Sequence, residues 1–538
     1  MRKTKLYITI IGLLVLSSCG EQFLDSEPYT KQSNINFYKT PKDARSALTG
    51  VYDGLQRMYS PGMAMPVVSE LLSDNAFGGF GKSDAFGSQL LDEFDKLRSP
   101  GDQDIMGDNW KQYYYGIYRC NVLLSKLDEI SWGDDAALKD QYAAETRFIR
   151  AVAYFDLVRL FENVVLLTAP SIENLPQSHP DDVYKLIAED LKFAVENLPA
   201  VTYAAQPSSE HGRVTKWAAE ALLARVYLFY TGYYEKTDLV GVVTKEEVLT
   251  NLEDIIANSG HQLLPDFATL WPAASVEDYA GERNAESIFN IKYTFTSNYN
   301  GDLDGNHWLV MLGMRGDNYP PYGMGWGGGT VNPKLWNAYA NTDTRKVASI
   351  ISIEDEEIDF DNSDAREYTG YYNKKYTPMS IKETDENGDE VIRSLAEKLG
   401  GVNFQIGQFQ DFTMIRYADV LLMAAELGSA NAQSYFDAVR QRAYKAAFVS
   451  TPPSKENIMN ERRLEFAFEG IRYWDLLRQG VAVAAATIAE TTEVVNGGLP
   501  ATKTISQSKI EATRGFQQIP NSQITRSSGV LEQNDGWK

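Results

Sequence analysis

Two stretches of this chain set aromatic rings among hydrogen-bonding side chains where a hydrophobic core would have no need of them. One runs from Phe77 to Asp104 and contains Phe80, Lys82, Asp84 and Phe86. The other runs from Tyr299 to Trp336 and contains Asn306, His307, Trp308, Arg315, Asn318, Tyr319, Tyr322 and Trp326. This mixture suits a ligand with an apolar C–H face ringed by hydroxyls, as a sugar has. A Trp or Tyr ring can lie against the C–H face while Asn, Asp and Arg meet the hydroxyls at its edge. Trp326 stands out, because Gly325 and Gly327 leave its ring unscreened and allow close approach to the backbone.

Catalysis would need other arrangements. The four histidines (His179, His211, His261 and His307) are scattered and form no His-Glu-x-x-His pair for zinc. No Gly-x-Ser-x-Gly elbow occurs. Gly81-Lys82-Ser83 falls short of a phosphate-binding loop, since Ala76 stands where its first glycine belongs. Gly323, Gly325 and Gly328 match a dinucleotide-binding spacing but follow Pro320-Pro321-Tyr322 rather than a strand. The acidic run Glu354-Asp355-Glu356-Glu357 reads as a solvated loop in preference to a calcium site. No cofactor and no metal are expected. A glycosidase needs only two carboxylates ~5 to 9.5 Å apart, and 73 acidic residues leave that pair open.

The N-terminus tells where such a site would be displayed. Arg2, Lys3 and Lys5 precede an apolar run from Ile8 to Leu16, too short for a bilayer that needs about 20 apolar residues. It ends in Leu16-Ser17-Ser18-Cys19, which is similar to the bacterial lipobox. Residues 1–18 therefore read as a signal peptide, Cys19 as the lipidated residue and membrane anchor, and residues 19–40 as a tether. Cys120 is then the remaining thiol, on a helical pattern, and it reads as a packed core residue with no disulfide partner. The formal charge is −22, and residues 1–18 hold three positive charges and no negative one, so the mature part is more acidic still. With no basic stripe, nucleic acid is excluded as a partner.

The elements that must position the aromatic stretches follow from periodicity. Residues 41–260 read as helical. Helices are expected over Trp110–Glu129, Leu138–Phe161, from Pro180 to before Pro199, over Thr215–Tyr234 and over Lys245–Ile256. In the second, Phe148, Val152, Phe155 and Val158 form one buried stripe. Residues 261–411 read as a loop-rich insertion with short strands. Strands are expected at Ser287–Phe295 and Tyr371–Tyr376, a hairpin turn at Asn387-Gly388, and no regular element over 297–330. Residues 412–538 return to helix over Phe412–Leu427, Ala432–Tyr444 and Lys455–Gln479, followed by a C-terminal segment.

Three motifs carry a family resemblance. They are Glu145-Thr146-Arg147-Phe148-Ile149-Arg150-Ala151, Ile415-Arg416-Tyr417-Ala418-Asp419-Val420-Leu421-Leu422-Met423, and Glu461-Arg462-Arg463-Leu464-Glu465-Phe466-Ala467-Phe468-Glu469-Gly470 with Arg472, Trp474, Asp475 and Arg478. With Phe23-Leu24-Asp25, Ile519-Pro520 and Gln533-Asn534 before Gly536-Trp537, the chain resembles the SusD/RagB family of nutrient-binding outer-membrane lipoproteins in the Bacteroidetes. It departs at Glu162-Asn163-Val164-Val165, where the family usually has a glycine and a proline.

The resemblance implies a mainly α fold: a SusD-like scaffold of tetratricopeptide-like helix pairs with a loop-rich, partly β insertion on the ligand side. It implies a glycan-binding lipoprotein of the outer membrane, facing the cell exterior, that is not an enzyme and hands oligo- or polysaccharide to a SusC-like TonB-dependent transporter. The alternative is the RagB-like capture of peptide. The ligand-binding candidates are Trp326, Trp308, Tyr322, Tyr319, Asn306, Arg315, Phe80, Phe86 and Asp84. The charged motif residues read as scaffold, with Glu469–Arg472 and Asp475–Arg478 as ion pairs three residues apart.

Overall fold

The structure, a computed structural model, describes residues 37–95, 104–298 and 304–538. The signal segment, Cys19 and all but the last four tether residues lie outside the described residues.

Among the described residues, nine helices of ten or more residues build the body: α1 (Pro41–Met58), α2 (Gly107–Lys126), α3 (Ala136–Phe161), α4 (Pro180–Asn197), α5 (Lys216–Tyr233), α6 (Lys245–Asn258), α7 (Tyr417–Glu426), α8 (Ala432–Tyr444) and α9 (Lys455–Glu465). Their starts are written locally. Thr40 with Asp43 and Thr244 with Glu247 form capping boxes ahead of α1 and α6, and Pro180 opens α4 where a proline's missing N–H costs nothing. Consecutive helices pack as pairs, α1 on α2, α3 on α4, α5 on α6 and α7 on α8, and α2–α3, α4–α5 and α6–α7 contacts join each pair to the next. The stripe Phe148, Val152, Phe155 and Val158 is buried, as its spacing predicts. From Tyr142 onward nearly the whole of α3 is buried, because α1, α2 and α4 all pack around it. Cys120 is buried in α2 and unbonded, with burial pushing its thiol up to about 12.

Among the described residues, ten short strands pair antiparallel in twos. They are β1 (Ala76–Gly79), β2 (Ser287–Ile291), β3 (Gly328–Val331), β4 (Ile350–Ser352), β5 (Tyr371–Asn373), β6 (Ser380–Thr384), β7 (Glu390–Ser394), β8 (Phe412–Arg416), β9 (Glu490–Asn496) and β10 (Leu499–Ile505). The turn chemistry of Asn387-Gly388 holds: Gly388 takes φ +87° between β6 and β7.

Several expectations are corrected. Phe412–Arg416 is a strand rather than the first turn of a helix, because it pairs with β2 and helix α7 begins only at Tyr417. The helix expected over 455–479 breaks after Glu465. Phe468 and Gly470 take positive φ there, and the backbone of Pro66 lies where a Cβ on Gly470 would sit. Residues 297–330 do contain regular elements, the helix His307–Leu312 and strand β3. The β9–β10 hairpin was not foreseen.

The third motif is scaffold. Arg416 is buried and donates to Glu469 (2.6 Å), Glu286 (2.6 Å) and Glu465 (2.7 Å). Arg345 bonds Asp343, Glu461 and Glu465, Arg442 bonds Glu286 and Glu465, and Lys375 bonds Glu469. Against its burial, Arg442, Arg416 and Arg345 hold the Glu465 carboxyl far below its usual range. The pair Asp475–Arg478 forms at 2.8 Å. Glu469–Arg472 does not: Glu469 turns to Arg416 and Lys375, and Arg472 reaches Asp74 at 2.7 Å.

Candidate functional site

The two aromatic stretches meet through backbone pairing between residues about 250 positions apart. Phe77 faces Thr330 and Gly79 faces Gly328 across β1–β3, and the Phe80 N–H donates to the Gly327 carbonyl at 2.7 Å. Arg315 then staples them. Its guanidinium donates to Asp84 (3.0 Å), to Asp364 (2.6 Å) and to the Trp326 carbonyl (3.3 Å). Two glycines make room. A Cβ on Gly81 would strike the Arg315 guanidinium, and one on Gly328 would strike the Phe80 ring. Phe80 itself takes φ +73°, a strain of about 1–3 kcal/mol for a non-glycine residue that the surrounding bonds must hold.

Trp326 is half-buried on a fixed backbone: its N–H donates to the Val310 carbonyl, and its neighbours Gly325 and Gly327 donate to Met314 and Gly313. The His307 ring packs edge-on at 5.6 Å. Tyr319, also half-buried, sits on a turn closed by reciprocal hydrogen bonds with the Tyr322 backbone. Phe86 is 44 % exposed, with the Arg366 guanidinium over its ring at 4.1 Å. Arg366 also donates to the carbonyls of Lys82 and Asp84, which fixes the loop that carries Asp84 and Phe86.

Three of the expected site residues are core residues instead. Trp308 is 0 % exposed, packed against Tyr376 and Phe412, with its indole N–H toward the Tyr293 hydroxyl. Asn306 is buried at the start of the same short helix and donates to the Gln410 carbonyl. Tyr322 is buried and donates its hydroxyl to Glu356. In each case the stretch is not the open loop its glycine and asparagine content suggests: it folds into a helix or tight turn whose inner side faces core.

A third segment joins the surface that sequence reasoning missed. Phe360 lies 5.8 Å from Tyr319 and stacks on Tyr368 at 5.4 Å, and Asp364 is one of the two carboxylates on Arg315. The signal was present in Asp359-Phe360-Asp361-Asn362, which repeats the mixture of ring and polar side chain. The tip of the β9–β10 hairpin closes on this segment, with the Gly497 N–H donating to the Ala365 carbonyl. Lys503 pins the hairpin from behind through Asp92, Glu93 and Glu367 at 2.7–2.9 Å.

Two grooves lie elsewhere, one of about 460 Å³ beside Arg514 and Asn534 and one of about 440 Å³ beside Arg45 and Lys292. Among the described residues no group of three His, Cys, Asp or Glu side chains is placed to hold a metal ion, and no helix is long and apolar enough to cross a membrane.

A scaffold of stacked helix pairs that carries an aromatic surface built from distant loops defines the class. Residues 278–537 match the SusD family, and residues 22–228 match the family described as starch-binding and associating with the outer membrane. The chain belongs to the SusD family. SusD-like protein P2 from Formosa agariphila is 25 % identical, with all of both chains covered. A solved laminarin-binding SusD-like protein is 28 % identical, covering 92 % of this chain and 99 % of its own, with a TM-score of 0.71. Surface glycan-binding protein A from Bacteroides thetaiotaomicron, solved with laminarihexaose, shares the fold at 22 % identity and a TM-score of 0.74, covering 92 % of this chain and 100 % of its own.

Proposed function

We propose that this chain is a lipid-anchored glycan-binding protein of the outer membrane. It captures oligo- or polysaccharide at the cell exterior and passes it unaltered to a SusC-like TonB-dependent transporter. The observation that carries this reading is the partly buried Trp326 on an immobilised backbone, linked through Arg315 to the loop bearing Phe80, Asp84 and Phe86. Rings fixed in place lose little freedom when a sugar face covers them, and Tyr319 with Phe360, 5.8 Å apart, adds further rings on the segment that carries Asp364. Arg315 and Asp84 supply edge contacts for hydroxyls. Cys19 supplies the anchor, where several acyl chains on one residue hold what a single chain would not.

The names of the relatives support a binding role, and laminarin is the first probe they suggest. The test is calorimetric titration of the chain lacking residues 1–19 against a panel of polysaccharides and peptides. Saturable binding to one glycan class is expected, lost in a folded Trp326→Ala variant. Peptide binding with silence across the glycans would replace this reading with the RagB-like one. Unchanged affinity in the Trp326→Ala variant would remove Trp326 from the site.

A further inference from the structure

We infer that the surface around Arg315 accepts uncharged glycan chains and turns away chains bearing carboxylate or sulfate groups. This deepens the glycan-binding reading above and rests on it.

The argument starts from the cations. An arginine fork is the group best fitted to a carboxylate or sulfate, because it can give two parallel hydrogen bonds. At this surface each described cation is already engaged within the protein. Arg315 gives its fork to Asp364 and Asp84. Arg366 faces inward, donating to the carbonyls of Lys82, Asp84 and Ala85 and covering Phe86. Lys82 donates to the Ser363 carbonyl at 2.8 Å, and Lys374 to Glu356 at 2.8 Å. A ligand anion would compete for each of these cations with an internal acceptor, a carboxylate at Arg315 and Lys374 and a backbone carbonyl at Arg366 and Lys82.

The carboxylates point the other way. Asp84 and Asp364 keep 41 % and 51 % of their side chains exposed beside Arg315. Asp317, Asp359 and Asp361 are exposed, and all three act on the Tyr319 hydroxyl. Hydrogen bonds from the Ser363 N–H and hydroxyl hold Asp361 in its ionised form, below the usual carboxylate range. An ionised carboxylate accepts but does not donate. It therefore suits sugar hydroxyls, which can donate to it, and repels a ligand that brings its own negative charge. With Glu356, the partner of Lys374, six carboxylates stand beside four committed cations around these rings, so the local field favours a neutral chain.

The experiment titrates the chain lacking residues 1–19 with two sets of polysaccharide of similar length. The neutral set is laminarin, starch and galactomannan; the anionic set is polygalacturonate, alginate and chondroitin sulfate. Binding within the neutral set is expected, nearly unchanged between about 0.05 and about 0.5 M salt. The anionic set should bind about tenfold more weakly or not at all. In an Asp317→Asn/Asp359→Asn double variant the gap between the sets should narrow several-fold, with the unfolding midpoint reporting that the fold is kept. Preferential anionic binding that fades with salt would overturn this inference while leaving glycan binding standing. A gap that does not move in the folded double variant would also overturn it, since the field is then not its cause. Silence from both sets would overturn the glycan reading itself, and this inference with it.

Discussion

Arginine is used in two opposite ways in this protein. Arg416 is buried, and its guanidinium is surrounded by Glu286, Glu465 and Glu469. Arg315 also bridges two carboxylates, yet a quarter of its side chain and about half of Asp364 remain in water. The first joins β8 to the strand and helix around it inside the scaffold; the second joins three surface loops. A charge withdrawn from water costs too much to leave unpaired, so the buried site admits only its complete set of partners. A charge at the surface is screened, so it can position loops without dominating stability.

The largest expected effect breaks the first member of that pair. Arg416→Ala should cost about 3–5 kcal/mol, since it strands buried carboxylates, while Arg315→Ala should cost about 1 kcal/mol or less. Urea unfolding of the two variants checks this, and equal losses would erase the distinction. A second contrast uses two tryptophans 18 positions apart. Trp308→Ala should cost about 3–5 kcal/mol through an unfilled core volume, whereas Trp326→Ala should shift stability by less and remove glycan binding. Equal losses of stability in the two tryptophan variants would show that both rings are core.

Acidity divides the buried carboxylates among themselves. Burial alone would raise Asp419, but Arg225 and Arg462 override it and hold its carboxyl at about 2. Its folded pKa lies below the ordinary 3.8, so its stabilisation is complete above that value and is lost as pH falls toward 2. Glu70 behaves in the opposite sense: burial pushes it up from 4.5 to about 7. The folded state then holds a proton that the unfolded chain has released, so this contribution declines as pH rises from 4.5 to about 7 and is constant beyond. The thermal midpoint, followed against pH, should show both limbs, and Glu70→Gln should flatten the upper one. The smallest effect is at the rim, where Phe86→Ala should cost about 0.5–1 kcal/mol through the lost Arg366 contact, together with a modest loss of glycan affinity.

The scaffold was legible where local rules suffice. Pro180 opens a helix and Pro199 bounds it wherever it packs, and Phe148, Val152, Phe155 and Val158 mark one face by spacing alone. Legibility failed where the partner is remote. Phe412–Arg416 is apolar enough for a helix and becomes a strand because β2 lies beside it. At the site, ring and polar side chains mark the right loops but not which ring faces out. Trp308 and Trp326 sit in similar company in the sequence, and only the fold of 307–312 sends the first into the core. Asp364 and Phe360 were missed because their partners, Arg315 and Tyr319, lie more than 40 positions away.

The same remoteness sets an order in time. The helix pair α7 and α8 closes over the short loop 427–431, but Arg472 meets Asp74 across 398 positions and Lys503 meets Asp92 across 411. Contacts between distant residues form more slowly than local ones, because a longer loop must be closed before they reward the chain. The candidate surface depends on long closures as well, since β1 pairs with β3 and the third segment is held by the β9–β10 hairpin. A chain that ends before Glu490 would lack that hairpin, and with it the bonds from Gly497 to Ala365 and from Lys503 to Asp92, Glu93 and Glu367, so the far C-terminus helps to build a face whose first rings lie hundreds of positions earlier.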